Sequence, residues 1–165
     1  MLTRRHIRIK IIQSVYSFSL DKGKKINDEI IFFNKSIYDT YDLYVLILSL
    51  FKEVKNHTDE QIKAYKKNNI KKDENYIGLN YLGKNKALEF LGNHIELERQ
   101  IKKRNFIKWD LEFKFIKKLV LKIIGSENFK NKSLIKNSTL IADKSILIDF
   151  FKDTIAPSTY LYNYL

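Results

Sequence analysis

INDEIIFFNKSIYDTYDLYVLILSLFKEVKNH, residues 26–57, is the stretch on which the reading of the fold turns. Ile26, Ile30, Phe33, Ile37, Tyr41, Tyr44, Leu48 and Phe51 recur at steps of three and four. That period lines one face of an α-helix and sets up a long apolar stripe. No proline or glycine interrupts the run, and despite its isoleucines the chain sustains no period-two alternation. Thr58, with Gln61 three residues on, reads either as a capping box that opens a new helix or as a point the long helix runs through.

Towards the N-terminus, Asp21 to Lys25, with Gly23, breaks the pattern. Before the break, Arg4 to Leu20 reads as a helix with Ile7, Ile11, Val15 and Phe18 on one face and Ile12 and Tyr16 beside them. Towards the C-terminus the period fades over Lys66 to Asn80, a solvated loop or frayed end. A third helix is expected over Lys84 to Lys103, on Leu88, Leu91, Ile95 and Leu97. Trp109 opens a fourth, with Phe113, Ile116, Val120 and Ile123 in register and Gly125 at its end. Ser126 to Thr139 reads as a polar loop with a turn. Asp143 is then the expected N-cap of a last helix carrying Ile146, Phe150, Phe151 and Ile155, which Pro157 stops. With one proline and five glycines in 165 residues, the expected architecture is all-α: a single helical bundle of about five to seven helices over residues 1–165.

A chain of this size can bury a core of its own. It has no cysteine, which excludes disulfides, thiolate metal sites and cysteine nucleophiles. No apolar run reaches the length of a membrane span, and Gln13 and Ser14 interrupt what would be a signal peptide's apolar stretch. The expected location is cytoplasmic, with no membrane partner. Tyr160, Leu161, Tyr162, Tyr164 and Leu165 make an apolar ending, expected to be either a docked tail or the edge of a longer protein.

The net charge is +12, from 31 basic and 19 acidic residues, which favours a polyanionic partner. Lysine, isoleucine and asparagine are abundant and alanine occurs four times. AT-rich coding produces the same bias, so net charge is a weak argument by itself. The distribution of arginine is sharper. Three of the five arginines fall within the first eight residues, at Arg4, Arg5 and Arg8, while the other 26 basic residues are lysines. A guanidinium binds phosphate at two points and stacks on bases, as an ammonium cannot. RNA is therefore the leading partner, against the plainer reading of a solvated basic terminus.

Catalytic patterns are missing from the sequence: there is no glycine-rich phosphate loop, no His-Glu-x-x-His and no nucleophile elbow. His6, His57 and His94 are scattered, and His57 is expected at a helix end. The pairs Asp39/Asp42 and Asp149/Asp153 read as solvated helix faces, and Glu96, Glu98 and Arg99 as a surface ion-pair face. The expectation is a binding protein, not an enzyme, with no metal and no cofactor.

The run Arg4-Arg5-His6-Ile7-Arg8-Ile9-Lys10-Ile11-Ile12-Gln13-Ser14-Val15-Tyr16 resembles the first helix of the NusB family of transcription antitermination factors. Arg4, Arg5, Arg8, Gln13 and Tyr16 match in identity and spacing. Ile7 and Ile11 replace the family's alanines, and Val15 its leucine. Tyr38 to Leu50, Lys108 to Phe113, Asp149 to Asp153 and Ile155-Ala156-Pro157 are similar to parts of the lysine-rich N-terminal region of the family's Bacteroidetes branch. The motifs of the family's C-terminal half, including its closing Phe-Val-Asn-Gly, have no counterpart, so the resemblance implies the N-terminal part of a longer architecture. It further implies a helical domain that binds the boxA-like single-stranded leader of ribosomal RNA together with the ribosomal protein NusE and RNA polymerase. Arg4, Arg5 and Arg8 would be the RNA contacts, with Gln13 and Tyr16 as lesser ones. The alternative is a helical protein-interaction or truncated NusB-like module without specific RNA binding.

Overall fold

The computed structural model describes residues 3–21, 23, 25–68, 73–133 and 139–164. Among them the protein is all-α, a helical bundle with nine α-helices, one 3-10 turn and one π-helical turn. The chain's contacts divide it into two compact units, residues 1–47 and 48–165.

The first unit holds α1 (Arg4–Leu20) and residues 26–47 of α2 (Ile26–Lys67). Thr3 caps α1 by accepting from the His6 N–H, and beyond Leu20 the Asp21 carboxylate accepts from the Gly23 N–H at 3.1 Å. His6 to Gln13 of α1 border the same cavity as Thr40 to Tyr44 of α2, so the two segments form an antiparallel hairpin. None of the 17 residues of α1 is buried. The apolar face expected on α1 does not close: Ile7 and Phe18 are half-buried, while Ile11, Ile12, Val15 and Tyr16 are exposed.

The second unit packs residues 48–67 of α2 with α3 (Glu74–Gly83), α4 (Lys86–Gly92), α5 (Ile95–Lys102), a 3-10 turn (Trp109–Glu112), α6 (Phe113–Gly125), α7 (Glu127–Ser133), α8 (Leu140–Phe150), a π-helical turn (Phe151–Ile155) and α9 (Thr159–Tyr164). Its core is Leu50, Val54, Leu82, Leu88, Ile116, Ile123, Phe129 and Ile155, all essentially inaccessible. The most amphipathic long element is α6, which buries Ile116, Leu119, Val120, Ile123 and Ile124 along one stripe. At Gly78 of α3 a side chain would meet Ile124 Cβ at 3.0 Å. Glycine there lets α3 lie close on α6.

Several sequence expectations change here. The long helix runs past Thr58, whose hydroxyl donates to the Val54 carbonyl at 2.7 Å and is buried, so no cap forms there. His57 is buried inside this helix, not at its end, with its ring edge-on to Phe113 at 4.9 Å. Within Lys66 to Asn80, residues 74–80 are helical, and 69–72 lie outside the described residues. The expected helix over Lys84 to Lys103 is two helices, because Asn93 closes α4 and the His94 ring caps α5 by accepting from the Leu97 N–H at 3.0 Å. Within Ser126 to Thr139, α7 buries Phe129, while 134–138 lie outside the description. Thr139, not Asp143, caps α8 by accepting from the Ala142 N–H at 3.2 Å.

Asp143 has another task. It is 1 % exposed and faces Asn85, 2 % exposed, at the start of α4. Asn85 Oδ1 accepts from the Ala87 and Leu88 N–H groups, and Asn85 Nδ2 donates to the Asp143 carbonyl at 3.3 Å. Asp143 Oδ2 accepts from the Lys86 N–H at 2.8 Å. One buried polar knot therefore satisfies the first turn of α4 and ties it to α8.

The apolar ending is docked up to Tyr164. Leu161 is buried, and the Tyr164 ring stacks on Trp109 at 4.6 Å and 11°. The Tyr164 hydroxyl donates to the Phe106 carbonyl and accepts from the Lys108 N–H, while the Trp109 indole donates to Ser49 Oγ at 2.7 Å.

Replacing Asp143 or Asn85 with alanine should each lower stability by about 2 kcal/mol, since each leaves buried partners unsatisfied. The two changes remove different hydrogen bonds, since alanine at 143 keeps the backbone carbonyl that Asn85 binds, so a double-mutant cycle by urea unfolding should show near-additive costs. His57 gives a pH signature. Burial holds its pKa below the ordinary histidine value, so below about pH 6.5 the unfolded chain binds a proton that the folded one resists. Stability should fall from pH 7.5 to 5.5, and His57→Gln should flatten that fall in paired urea titrations.

Candidate nucleic-acid interface on the first helix

Helical spacing puts Arg4 and Arg8 one turn apart with Arg5 beside them, on a surface that Tyr16 continues two turns on from Arg8. All four are exposed. None of the three arginines makes an ion pair or side-chain hydrogen bond with the described residues. The other two arginines are engaged on their own helix and its end: Arg99 pairs with Glu96 at 2.8 Å, and Arg104 donates to the Gln100 carbonyl and side chain.

α1 contains Arg4, Arg5, Arg8 and Lys10 and no acidic residue. Its N-terminal turn adds the helix dipole's partial positive charge, so nothing on the helix itself offsets the cations. A positive field at an exposed helix start attracts anions and is screened by salt within about 10 Å at 0.1 M.

Gln13 departs from that surface. With His6, Ile9 and Lys10 it lines a concavity of about 430 Å³ whose far wall is Thr40, Tyr41 and Tyr44 of α2. The Tyr41 and Tyr44 rings lie 6.5 Å apart and 30° from parallel, and Tyr44 is half exposed. The structure thus groups Arg4, Arg5 and Arg8, leaves Tyr16 open at the end of their surface, and turns Gln13 towards a groove floored by aromatic rings. Phosphates can meet the guanidinium planes while a base lies against a tyrosine. The sequence placed Tyr41 and Tyr44 on the core stripe; only the geometry of the hairpin shows that they face this groove. The one sequence signal for it is that Thr40 and Asp42 interleave with them where a fully buried face would be apolar.

The remaining candidates behave as ordinary surface chemistry. Asp149 accepts from Asn128 and Ser145. Glu98 lies between Lys102 at 2.9 Å and Lys52 at 3.6 Å, and its hydrogen bond with Lys102 holds its carboxyl below the usual range. The Gln100 amide does the same for Glu96. Among the described residues no cluster of three metal-ligating side chains occurs, and no helix is long and apolar enough to cross a membrane. In the second unit Leu48, Phe51, Phe90, Leu147 and Phe151, with Lys144 at the side, wall an apolar groove of about 420 Å³. Sequence reading missed it, because its walls come from α2, α4 and α8, which only the fold brings together.

Compared with protein-family models, with curated proteins and with solved structures, the chain matches none.

Proposed function

We propose that this protein is a NusB-like, non-enzymatic RNA-binding factor. On that reading it holds a boxA-like single-stranded stretch of nascent ribosomal RNA and works with NusE and RNA polymerase to prevent termination. The observation that carries the reading is the trio Arg4, Arg5 and Arg8, exposed on a helix without acids and, among the described residues, without an ion pair. It coincides with the residues through which the first helix resembles that family. Arginine is scarce in this chain, and the arginines elsewhere are occupied within their own helix and its end. Binding alone is required, and phosphate contacts with stacking supply it. Tyr16 would stack at the edge of the site, and Gln13 would reach RNA from the groove it lines with Tyr41 and Tyr44.

A second reading, a helical protein-interaction module, draws on the apolar groove of the second unit. RNA titrations separate the two. With a boxA-like RNA and a scrambled control, fluorescence anisotropy should show preference for boxA. Arg4/Arg5/Arg8→Ala should abolish that preference, weaken binding at least about tenfold near physiological salt, and flatten the log–log salt slope by about two units. Removing Lys63, Lys66 and Lys67, exposed at the end of α2, should do far less. Equal losses from both triple variants would sink the site and leave diffuse charge.

A further inference from the structure

α6 carries Lys114, Lys117, Lys118 and Lys122 and no acid. Lys114, Lys118 and Lys122 follow one another at steps of four, a single row with about 6 Å of rise between neighbours. All three are exposed, and among the described residues none forms an ion pair. They line one side of a cleft of about 950 Å³. The other side comes from the π-helical turn, the residues after it and the start of α9, where Thr154, Ser158 and Thr159 bring hydroxyl groups. Two acids, Glu112 and Asp153, border the cleft against the three lysines, and Glu112 is already engaged by the Tyr160 hydroxyl, which donates to it. The balance stays positive. Like charges one turn apart repel, and a bound polyanion relieves that cost.

An aromatic row narrows the kind of anion. The Tyr164 ring lies on Trp109 at 4.6 Å and 11°, Trp109 beside Phe115 at 6.4 Å and 23°, and Phe115 on Tyr160 at 4.3 Å and 19°. Trp109 anchors the row in the core through its bond to Ser49. Tyr160 is the exposed end, 44 % accessible, and it lines the lysine cleft together with Phe115. A ring held by a neighbour's face and by its own hydroxyl loses little freedom when a further planar group stacks on it. Ammonium groups alone would suit any polyanion. Ammonium groups beside the open end of an aromatic stack suit one that carries flat rings along its charged backbone, which is single-stranded nucleic acid. We propose that this cleft is a second, sequence-independent site for single-stranded nucleic acid, in which Lys114, Lys118 and Lys122 hold phosphates and a base stacks on Tyr160.

The inference goes beyond the site on α1 and does not depend on it, since every residue it uses belongs to the second unit. An oligoadenylate RNA of about twelve nucleotides, which carries no boxA, probes the cleft by fluorescence anisotropy with the full chain. Lys114/Lys118/Lys122→Gln should weaken binding about tenfold near physiological salt and flatten the log–log salt slope by about two units. Tyr160→Leu should weaken it about fivefold or more with the slope unchanged, whereas Tyr160→Phe, which keeps the ring, should bind as wild type does. Lys63/Lys66/Lys67→Gln, the same charge change elsewhere, should stay within about twofold. In the Arg4/Arg5/Arg8→Ala background, the binding that remains should still depend on the lysine row. Failure of the wild-type chain to bind oligoadenylate, or an equal loss from Lys63/Lys66/Lys67→Gln, would overturn the proposal. So would polyglutamate competing as well as oligoadenylate, which would leave a general polyanion surface. Binding that vanishes with Arg4/Arg5/Arg8→Ala and ignores the lysine row would overturn the cleft and leave the α1 site standing; dependence on the lysine row alone would do the reverse.

Discussion

The hydrogen bonds that tie Asn85 and Lys86, at the start of α4, to Asp143 of α8 are the constraint on which the second unit depends. α4 has seven residues and α8 eleven, both shorter than a helix that persists alone in water. Each needs a neighbour, and apolar contact by itself would let them slide. Asn85 and Asp143 remove that freedom, because a polar group buried without its partner costs far more than a shifted leucine. With Asn85 fixed to the Asp143 backbone and Lys86 N–H to its carboxylate, α4 has one register against α8. The apolar groove of this unit, with walls from α2, α4 and α8, exists because of that register. Trp109 supplies a second pin, its indole bonded to Ser49 of α2 and its face covered by Tyr164.

The first unit obeys a different logic. Its helix α1 has apolar residues on most of its circumference, buries none of them, and spends no acid on its arginines. Such a helix gains stability from whatever it binds. Neighbouring guanidinium groups repel one another, and that repulsion is relieved when an anion arrives. Exposed isoleucines act similarly towards an apolar partner. An element of marginal stability that is completed by binding is where functional surfaces are commonly found.

Much of this was legible in the sequence, and what was not has physical causes. The long helix was readable because its stripe continues for many turns, and its extension through Thr58 was open because Thr58 suits a cap as well as a hydroxyl bonded back to Val54. His57 was misplaced for the same reason: nothing local marks a histidine that a distant Phe113 will cover. Asp143 has the composition of an N-cap, yet Thr139 takes that role, and only the fold brings Asn85 near enough to give the carboxylate another. The polar residues around Phe129 hid a short helix held by one buried ring. The arginines of α1 were visible from composition alone. The exposure of its isoleucines was not, because periodicity shows which side chains share a face and says nothing about whether anything covers it.

The two units also separate the two ways a basic protein can use its charge. In the second unit several cations are drawn into local pairs: Lys55 with Asp59, Lys102 with Glu98, Arg99 with Glu96. The exposed pairs of Lys102 and Arg99 contribute little to stability, but each pair removes a cation from the surface field. On α1 no acid performs that neutralisation, and the residue chosen is arginine, in a chain that otherwise uses lysine about five times as often. Lysine would give the same net charge and the same long-range attraction. What it cannot give is a planar fork that grips phosphate at two points and lies flat on a base. On the proposed RNA-binding reading, arginine in place of lysine at these three neighbouring positions supplies a directional grip on an anionic, aromatic polymer that lysine would not.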